Sequence, residues 1–215
     1  MIKAILFDMD GVIVDTLHYH YLAWDRMFQE FGGRVSKHTV LLHEGRNSRE
    51  IIPILMKEAG VYLPDDQWDE FIDKKRKYYR SIVQVNYFPK VFEVITELRN
   101  RGLKTALVTA SARKNMEKSI PADKQRLFNA ILTAEDFTNA KPNPEPYLKA
   151  QQILNVELNE CVVVENAPLG IESAKNAGMI CIAVETTLGR EFLTQADFII
   201  NCVEELLGFF PALKA

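Results

Sequence analysis

The sequence predicts an α/β protein, a parallel sheet flanked by helices with a helical segment inserted after the first strand. Three observations carry this expectation. Short apolar runs alternate with stretches of helical periodicity. Several of those runs end in polar residues, and open α/β sheets gather their ligands at the carboxyl ends of their strands. Between residues 17 and 86 the alternation stops and only helical periodicity remains.

Taken in order, the first strand is expected over Lys3–Phe7. From Leu17 onward, Tyr21, Trp24, Met27, Phe28 and Phe31 recur at helical spacing and read as core packing. Asn47 and Glu50 have capping-box spacing ahead of Ile51, Ile52 and Leu55. Asp65 is read as the cap of a helix through Trp68, Phe71 and Ile72. After Pro89 a helix carries Val91, Phe92, Ile95 and Leu98 on one face and stops at Gly102. Further strands are expected at Lys104–Thr109, Ala130–Leu132, Cys161–Val164, Ile180–Val184 and Phe198–Ile200, with helices at Glu145–Leu154 and Gly170–Ala177. Residues 1–16 and 87–215 then form the sheet domain and 17–86 a helical cap over its edge. Phe209-Phe210-Pro211 reads as a packed tail, with a contact surface as the alternative.

The 215 residues are enough for a full core, and the composition is that of a globular protein: 47% hydrophobic, 26% charged, net charge −3. That balance gives no reason to expect nucleic acid or an anionic membrane as a partner, so any affinity for phosphate has to be local. Cys161, Cys181 and Cys202 are far apart in apolar runs and read as buried thiols of a reducing cytoplasm. No apolar stretch is long enough to span a bilayer, and a monomer is the expected state.

Four strand ends carry the chemistry. The first delivers Asp8-Met9-Asp10-Gly11, the second Thr109-Ala110-Ser111, and the fourth Glu165-Asn166; a loop after the third brings Lys141-Pro142. Together they offer a carboxylate nucleophile, an acid/base two residues on, hydroxyl and ammonium donors, and oxygen ligands for a hard cation. Attack by one anion on another needs a cation to screen it, and Mg²⁺ favours such oxygen ligands. A carboxylate nucleophile splits phosphoryl transfer into two steps through an acyl phosphate, and positioning supplies most of the rest.

An Asp-x-Asp pair alone is weak evidence. Here it sits in Ile5-Leu6-Phe7-Asp8-Met9-Asp10-Gly11-Val12-Ile13-Val14-Asp15-Thr16. Val108-Thr109-Ala110-Ser111, Ala140-Lys141-Pro142-Asn143-Pro144 and Val164-Glu165-Asn166-Ala167-Pro168-Leu169-Gly170 follow it. This series resembles the haloacid dehalogenase superfamily, in its β-phosphoglucomutase-like branch of phosphatases and mutases, across essentially the whole chain. The resemblance implies a Rossmann-like core with a helical cap, and makes Asp8 the nucleophile and Asp10 the general acid/base. Thr109 and Lys141 would hold the transferring phosphoryl group, with Ala110 and Ser111 lining its loop. Mg²⁺ would bind the Asp8 carboxylate, the Asp10 backbone carbonyl, Glu165 and Asn166. Asn166 departs from the family's usual Asp; its amide oxygen can ligate but brings no charge.

The segment His43-Glu44-Gly45-Arg46-Asn47-Ser48-Arg49-Glu50 resembles the family's specificity loop. Arg49 matches a position that grips a second phosphate in the mutases, a task suited to a planar guanidinium. Lys77 roughly matches another cap cation; the alternative is a solvated basic face. Thr16, His20 and Trp24 match a mutase-like pattern, so His20 either tunes closure and the acid/base or packs near the hinge. Glu44 either joins the metal shell on closure, offsetting the charge Asn166 lacks, or pairs with Arg46 or Arg49. The first option would suit pyrophosphate, and relatives with similar segments look like pyrophosphatases. The expected activity is hydrolysis of small phosphorylated metabolites, with hexose-phosphate isomerisation as the alternative. Carbon–halogen cleavage needs neither Asp10 nor a full metal set, and a degraded binding module is disfavoured because only Asn166 departs from the expected chemistry.

Overall fold

The computed structural model describes residues 1–211. In chain order its elements are β1 (Ala4–Phe7), α1 (Leu17–Gln29), α2 (Lys37–Leu42), α3 (Ser48–Ala59), α4 (Trp68–Ile82) and α5 (Val91–Asn100). Then come β2 (Lys104–Val108), α6 (Arg113–Ser119), α7 (Ala122–Gln125), β3 (Ala130–Leu132), α8 (Glu145–Leu154) and β4 (Cys161–Glu165). The chain closes with α9 (Pro168–Asn176), β5 (Ile180–Val184), β6 (Phe198–Ile200) and α10 (Leu206–Phe209). All six expected strands are present, within a residue at either end.

The strands form one parallel sheet in the order β3-β2-β1-β4-β5-β6. Every residue of β1 is buried, as a strand covered on both faces requires. Alternate side chains divide the core. Ile5, Phe7, Leu107, Val162 and Val164 pack with Val91, Ile95 and Leu98 of α5. On the other face Ala4, Leu6, Val108 and Val163 pack with Tyr147 and Ala150 of α8 and Ile171 of α9. Strand order reverses at β1, the point at which such sheets open a ligand crevice. Register then aligns the chemistry: Phe7 pairs with both Leu107 and Val164, so Asp8 and Glu165 emerge at one level, with Thr109 one residue further along β2.

Helices α1–α4 enclose a separate apolar cluster that includes Trp24, Phe28, Ile52, Leu55, Phe71 and Ile72. The Phe28 and Phe71 rings meet edge to face at 5.2 Å, a favoured aromatic geometry. Phe31 is only a partial member of the stripe, 45% exposed at the end of α1. Asn47 Oδ1 accepts from Glu50 N at 2.9 Å, capping α3 as its spacing predicts. Asp65 does not cap α4. Pro64 leads instead into a tight 3₁₀ turn over Asp65–Gln67, closed by Gln67 N to Pro64 O at 3.0 Å, and α4 starts only at Trp68. Cys161 and Cys181 are buried, but Cys202 is exposed because it lies past the end of β6. In the tail, Phe210 is buried and Phe209 half-exposed.

Candidate active site

Asp8 directly follows β1, and its backbone N–H still donates to Val164 O at 3.0 Å, so the strand ladder fixes the start of the loop. The loop then turns sharply, with Ile13 N on Met9 O (2.9 Å) and Gly11 N on Val14 O (2.8 Å). Gly11 adopts φ +95°, and a Cβ there would lie 2.1 Å from Asn166 Nδ2. Only glycine lets this turn pass so close to the β4 loop. Thr186 Oγ1 also donates to Gly11 O at 2.5 Å.

At the centre, Lys141 Nζ donates to Asp8 Oδ1 and to Glu165 Oε1, each at 2.6 Å. All three side chains are buried. Glu165 is held further by Tyr147 OH (2.7 Å) and by the backbone N–H of Asn166 (2.9 Å) and Ala167 (3.3 Å), at the N-terminus of α9. A Cβ on Gly170 would strike Glu165 Oε1 at 1.8 Å, so that helix also needs its glycine. Burial opposes the Lys141 charge, but Asp8 and Glu165 outweigh it and hold the ammonium protonated beyond its ordinary range. Asp8 is pushed well up, first by burial and then, against the pull of Lys141, by Glu165. One ammonium is thus shared between two buried carboxylates, a charge deficit that raises the cost of ionising Asp8.

Asp10 sits in a hydroxyl-lined niche. It accepts from Thr16 Oγ1, and from Ser111 Oγ at 2.9 Å, while His20 Nε2 lies 3.5 Å away. Burial acts upward on Asp10, but His20 and these hydroxyls prevail and bring its pKa down. Thr109 Oγ1 accepts from Ser111 N at 3.0 Å and shapes the adjoining loop. On the other side of His20, Lys75 Nζ is 3.1 Å from Nδ1. An ammonium can only donate, so Nδ1 accepts and the ring proton is assigned to Nε2, facing Asp10. Lys75 is buried over the Trp24 ring at 4.7 Å, and burial brings it down to about 8. His20 is lowered by burial and then by Lys75.

A cavity of about 50 Å³ opens between the helical insertion and the sheet edge. Its core wall is Ala110-Ser111-Ala112 and Asn115; its opposite wall includes His43, Glu44, Arg46, Lys75 and Arg76. Asp8 and Lys141 do not line it. Burial, then the Asp10 charge, raises Glu44 to about 8. Among the described residues Glu44 makes no salt bridge with Arg46 or Arg49; those partner Glu50 and Asp69.

Two expected cap residues are placed elsewhere. Arg49 does not reach this cavity: in the first turn of α3 it points outward to Asp69 (3.0 Å) and over the Trp68 ring. Arg46, just before the Asn47 cap, takes the inward place. Lys77 is exposed, whereas Lys75 is buried. The signal for Lys75 was present in the sequence: it falls four residues after Phe71 and four before Tyr79, inside the buried stripe of α4. Thr187 carried no such signal. It accepts from Asn166 Nδ2 at 2.6 Å, while Asn166 Oδ1 is buried with no hydrogen-bond partner.

The profile of the haloacid dehalogenase-like hydrolases matches residues 5–184. Protein SUPPRESSOR OF QUENCHING 1 of Arabidopsis thaliana is 33% identical over 91% of this chain, which spans only 19% of that longer protein. Validoxylamine A 7'-phosphate phosphatase of Streptomyces hygroscopicus subsp. limoneus is 28% identical over 96% of each chain. The crystal structure of β-phosphoglucomutase from Clostridium difficile superposes with a TM-score of 0.83 at 26% identity, covering 96% of this chain and 93% of that one. With its sheet order, its strand-end carboxylates and these likenesses, the chain belongs to the haloacid dehalogenase-like hydrolases and is an enzyme acting on phosphoryl groups.

Proposed function

We propose that this protein is a Mg²⁺-dependent phosphatase that hydrolyses compact phosphorylated metabolites, pyrophosphate among them, through an aspartyl-phosphate at Asp8. The observation that carries the reading is the Asp8–Lys141–Glu165 bridge beside the unpartnered Asn166 Oδ1. Asp8, Glu165, Asp10 and Glu44 bring four carboxyl groups to one buried region, against Lys141 and Lys75. Among the described residues no three His, Cys, Asp or Glu side chains form a ready metal cluster. Asp8, Glu165, Asn166 Oδ1 and the Asp10 backbone carbonyl would together supply the donor set. An unpartnered amide oxygen beside buried carboxyl groups suits a hard cation. Bound there, Mg²⁺ would neutralise charge on the phosphoryl oxygens and lower the cost of ionising Asp8.

The chain's own residues account for the two steps. Asp8 attacks phosphorus and the bond to the leaving oxygen breaks. Asp10, which His20 and the hydroxyls hold ionised, must first take a proton from solvent while the cap is open, and gives that proton to the leaving oxygen. Water then attacks the acyl phosphate, Asp10 takes its proton, and Asp8 and orthophosphate are released. Lys141 and Thr109 hold the phosphoryl oxygens. Residues 17–86 act as a cap over the core of 1–16 and 87–215, and since Asp8 does not line the cavity in the closed arrangement, the cap opens to admit substrate. The small cavity with Arg46 and Arg76 on its wall favours a compact anionic leaving group. A reducing, cytoplasmic setting is part of this reading and accords with the buried free thiols of Cys161 and Cys181; a monomer is proposed with it.

Isomerisation of hexose phosphates is the second reading, favoured by the likeness to a β-phosphoglucomutase structure. A phosphate-release screen with Mg²⁺, with and without EDTA, over pyrophosphate, sugar phosphates and nucleotides tests both. Metal-dependent release, fastest from pyrophosphate or another compact compound, is expected. Conversion of β-glucose 1-phosphate to glucose 6-phosphate under a bisphosphate primer, with little free phosphate, would replace it with the mutase.

A further inference from the structure

We infer that Arg80, which does not line the cavity, is a positioning residue that fixes Asn115 as a hydrogen-bond donor to the anionic group the substrate loses. This rests on the phosphohydrolase reading above.

Asn115 is buried at the start of α6, on the core wall of the cavity beside Ser111 and Ala112. Its side chain has two chemically opposite ends, and a free amide can turn either one toward a ligand. Arg80 Nη1, near the end of α4, lies 3.0 Å from Asn115 Oδ1. A guanidinium carries donors only, so the atom facing it must be the amide oxygen. The other end, Nδ2, is left as a donor, and among the described residues nothing accepts from it. With Arg46 and Arg76 on the opposite wall, the cavity is lined by an amide N–H donor and two arginines. An anionic leaving group is served by this set; the reversed amide would set a carbonyl oxygen against it.

The device also reports closure. Lys118 Nζ on α6 donates to Arg80 O, so α4 and α6 grip one another in both directions. Arg80 can reach Asn115 only while α4 lies against α6, and recognition of the leaving group is thereby tied to seating of the helical insertion. Opening would release the amide and loosen the product.

The test is calorimetric titration of methylenediphosphonate, a pyrophosphate analogue that cannot be hydrolysed, with Mg²⁺ present. Arg80→Ala and Asn115→Ala are each expected to weaken binding about tenfold, and the double variant by no more than the worse single one. Arg80→Lys, which retains a donor, is expected to stay within about threefold of wild type. The sharpest variant is Asn115→Asp. It strengthens the contact with Arg80 but turns an acceptor-only oxygen to the cavity, and is expected to lose more than about tenfold. It also covers the case in which Arg80→Ala fails to fold. Additive losses in the double variant, an unchanged Arg80→Ala, an unchanged or tighter Asn115→Asp, or no binding by wild type would each overturn the assignment. The phosphohydrolase reading falls separately, on absence of phosphate release.

Discussion

Thr187 holds the amide nitrogen of Asn166 at 2.6 Å and so leaves Oδ1 as the free end of that side chain. A carboxylate in this place could ligate with either oxygen; an amide has one useful end, and here Thr187 occupies the other. Outer partners of metal ligands are commonly worth about 10–100-fold in affinity. Thr187→Val is therefore expected to weaken Mg²⁺ binding by about tenfold in a calorimetric titration. In an Asn166→Asp background the same change should cost far less; equal losses in both backgrounds would show that Thr187 does not act through the amide.

Lys141 bridges two buried carboxyl groups at once. Removing one partner of a buried ion pair commonly costs about 3–5 kcal/mol, because the other charge is left without compensation. Lys141→Met should show a loss of that order in urea denaturation with EDTA, and a smaller one when Mg²⁺ is present. A loss indifferent to metal would argue against a cation site between Asp8 and Glu165.

Asp8→Asn keeps the shape of the site but removes the nucleophile. Turnover should fall by several orders of magnitude with folding intact, because the covalent route is closed. Activity within about tenfold of wild type would reassign the nucleophile.

Asp25 offers a pH test remote from the chemistry. It accepts from Gln29 (2.8 Å), Arg34 (2.9 Å) and Val35 N (3.2 Å), tying the middle of α1 to the chain that follows it. Burial acts upward on its carboxyl, but these bonds, led by that from Arg34, win and hold it below its ordinary 3.8. A depressed value means that the folded state binds fewer protons. The stabilisation is thus complete above the ordinary carboxylate range and is lost as pH falls through the lowered value. Asp25→Asn should cost about 1–2 kcal/mol at pH 7, with the gap to wild type closing as pH falls below the ordinary carboxylate value. A gap that persists at low pH would mean that packing, and not charge, is responsible.

The sheet was legible because each strand is a dense apolar run and both faces of it are covered; β3 and β5 have the bounds their sequence suggests. The strand-end residues were legible because register in a parallel sheet carries Asp8 and Glu165 to one level with Thr109 beside them. The wall facing them was harder. On α4 the inward lysine is set by a turn of helix, so confusing Lys77 with Lys75 exchanges a solvated charge for a buried one. Around α3 the cap at Asn47 reverses the chain, and Arg46 and Arg49 end on opposite sides of it. Thr187 and Arg80 are brought to Asn166 and Asn115 only by tertiary packing, across 21 and 35 positions of sequence.

Gly45, in the loop between α2 and α3, adopts φ +98°, and a Cβ on it would lie 3.1–3.2 Å from the stem of Lys141. The loop thus rests its backbone directly on the lysine that serves Asp8, with clearance of less than one methyl group. Whatever varies among neighbours such as Arg46 to suit a new leaving group, this spot sets how deep the lid can sit, and a single added carbon would leave the door ajar.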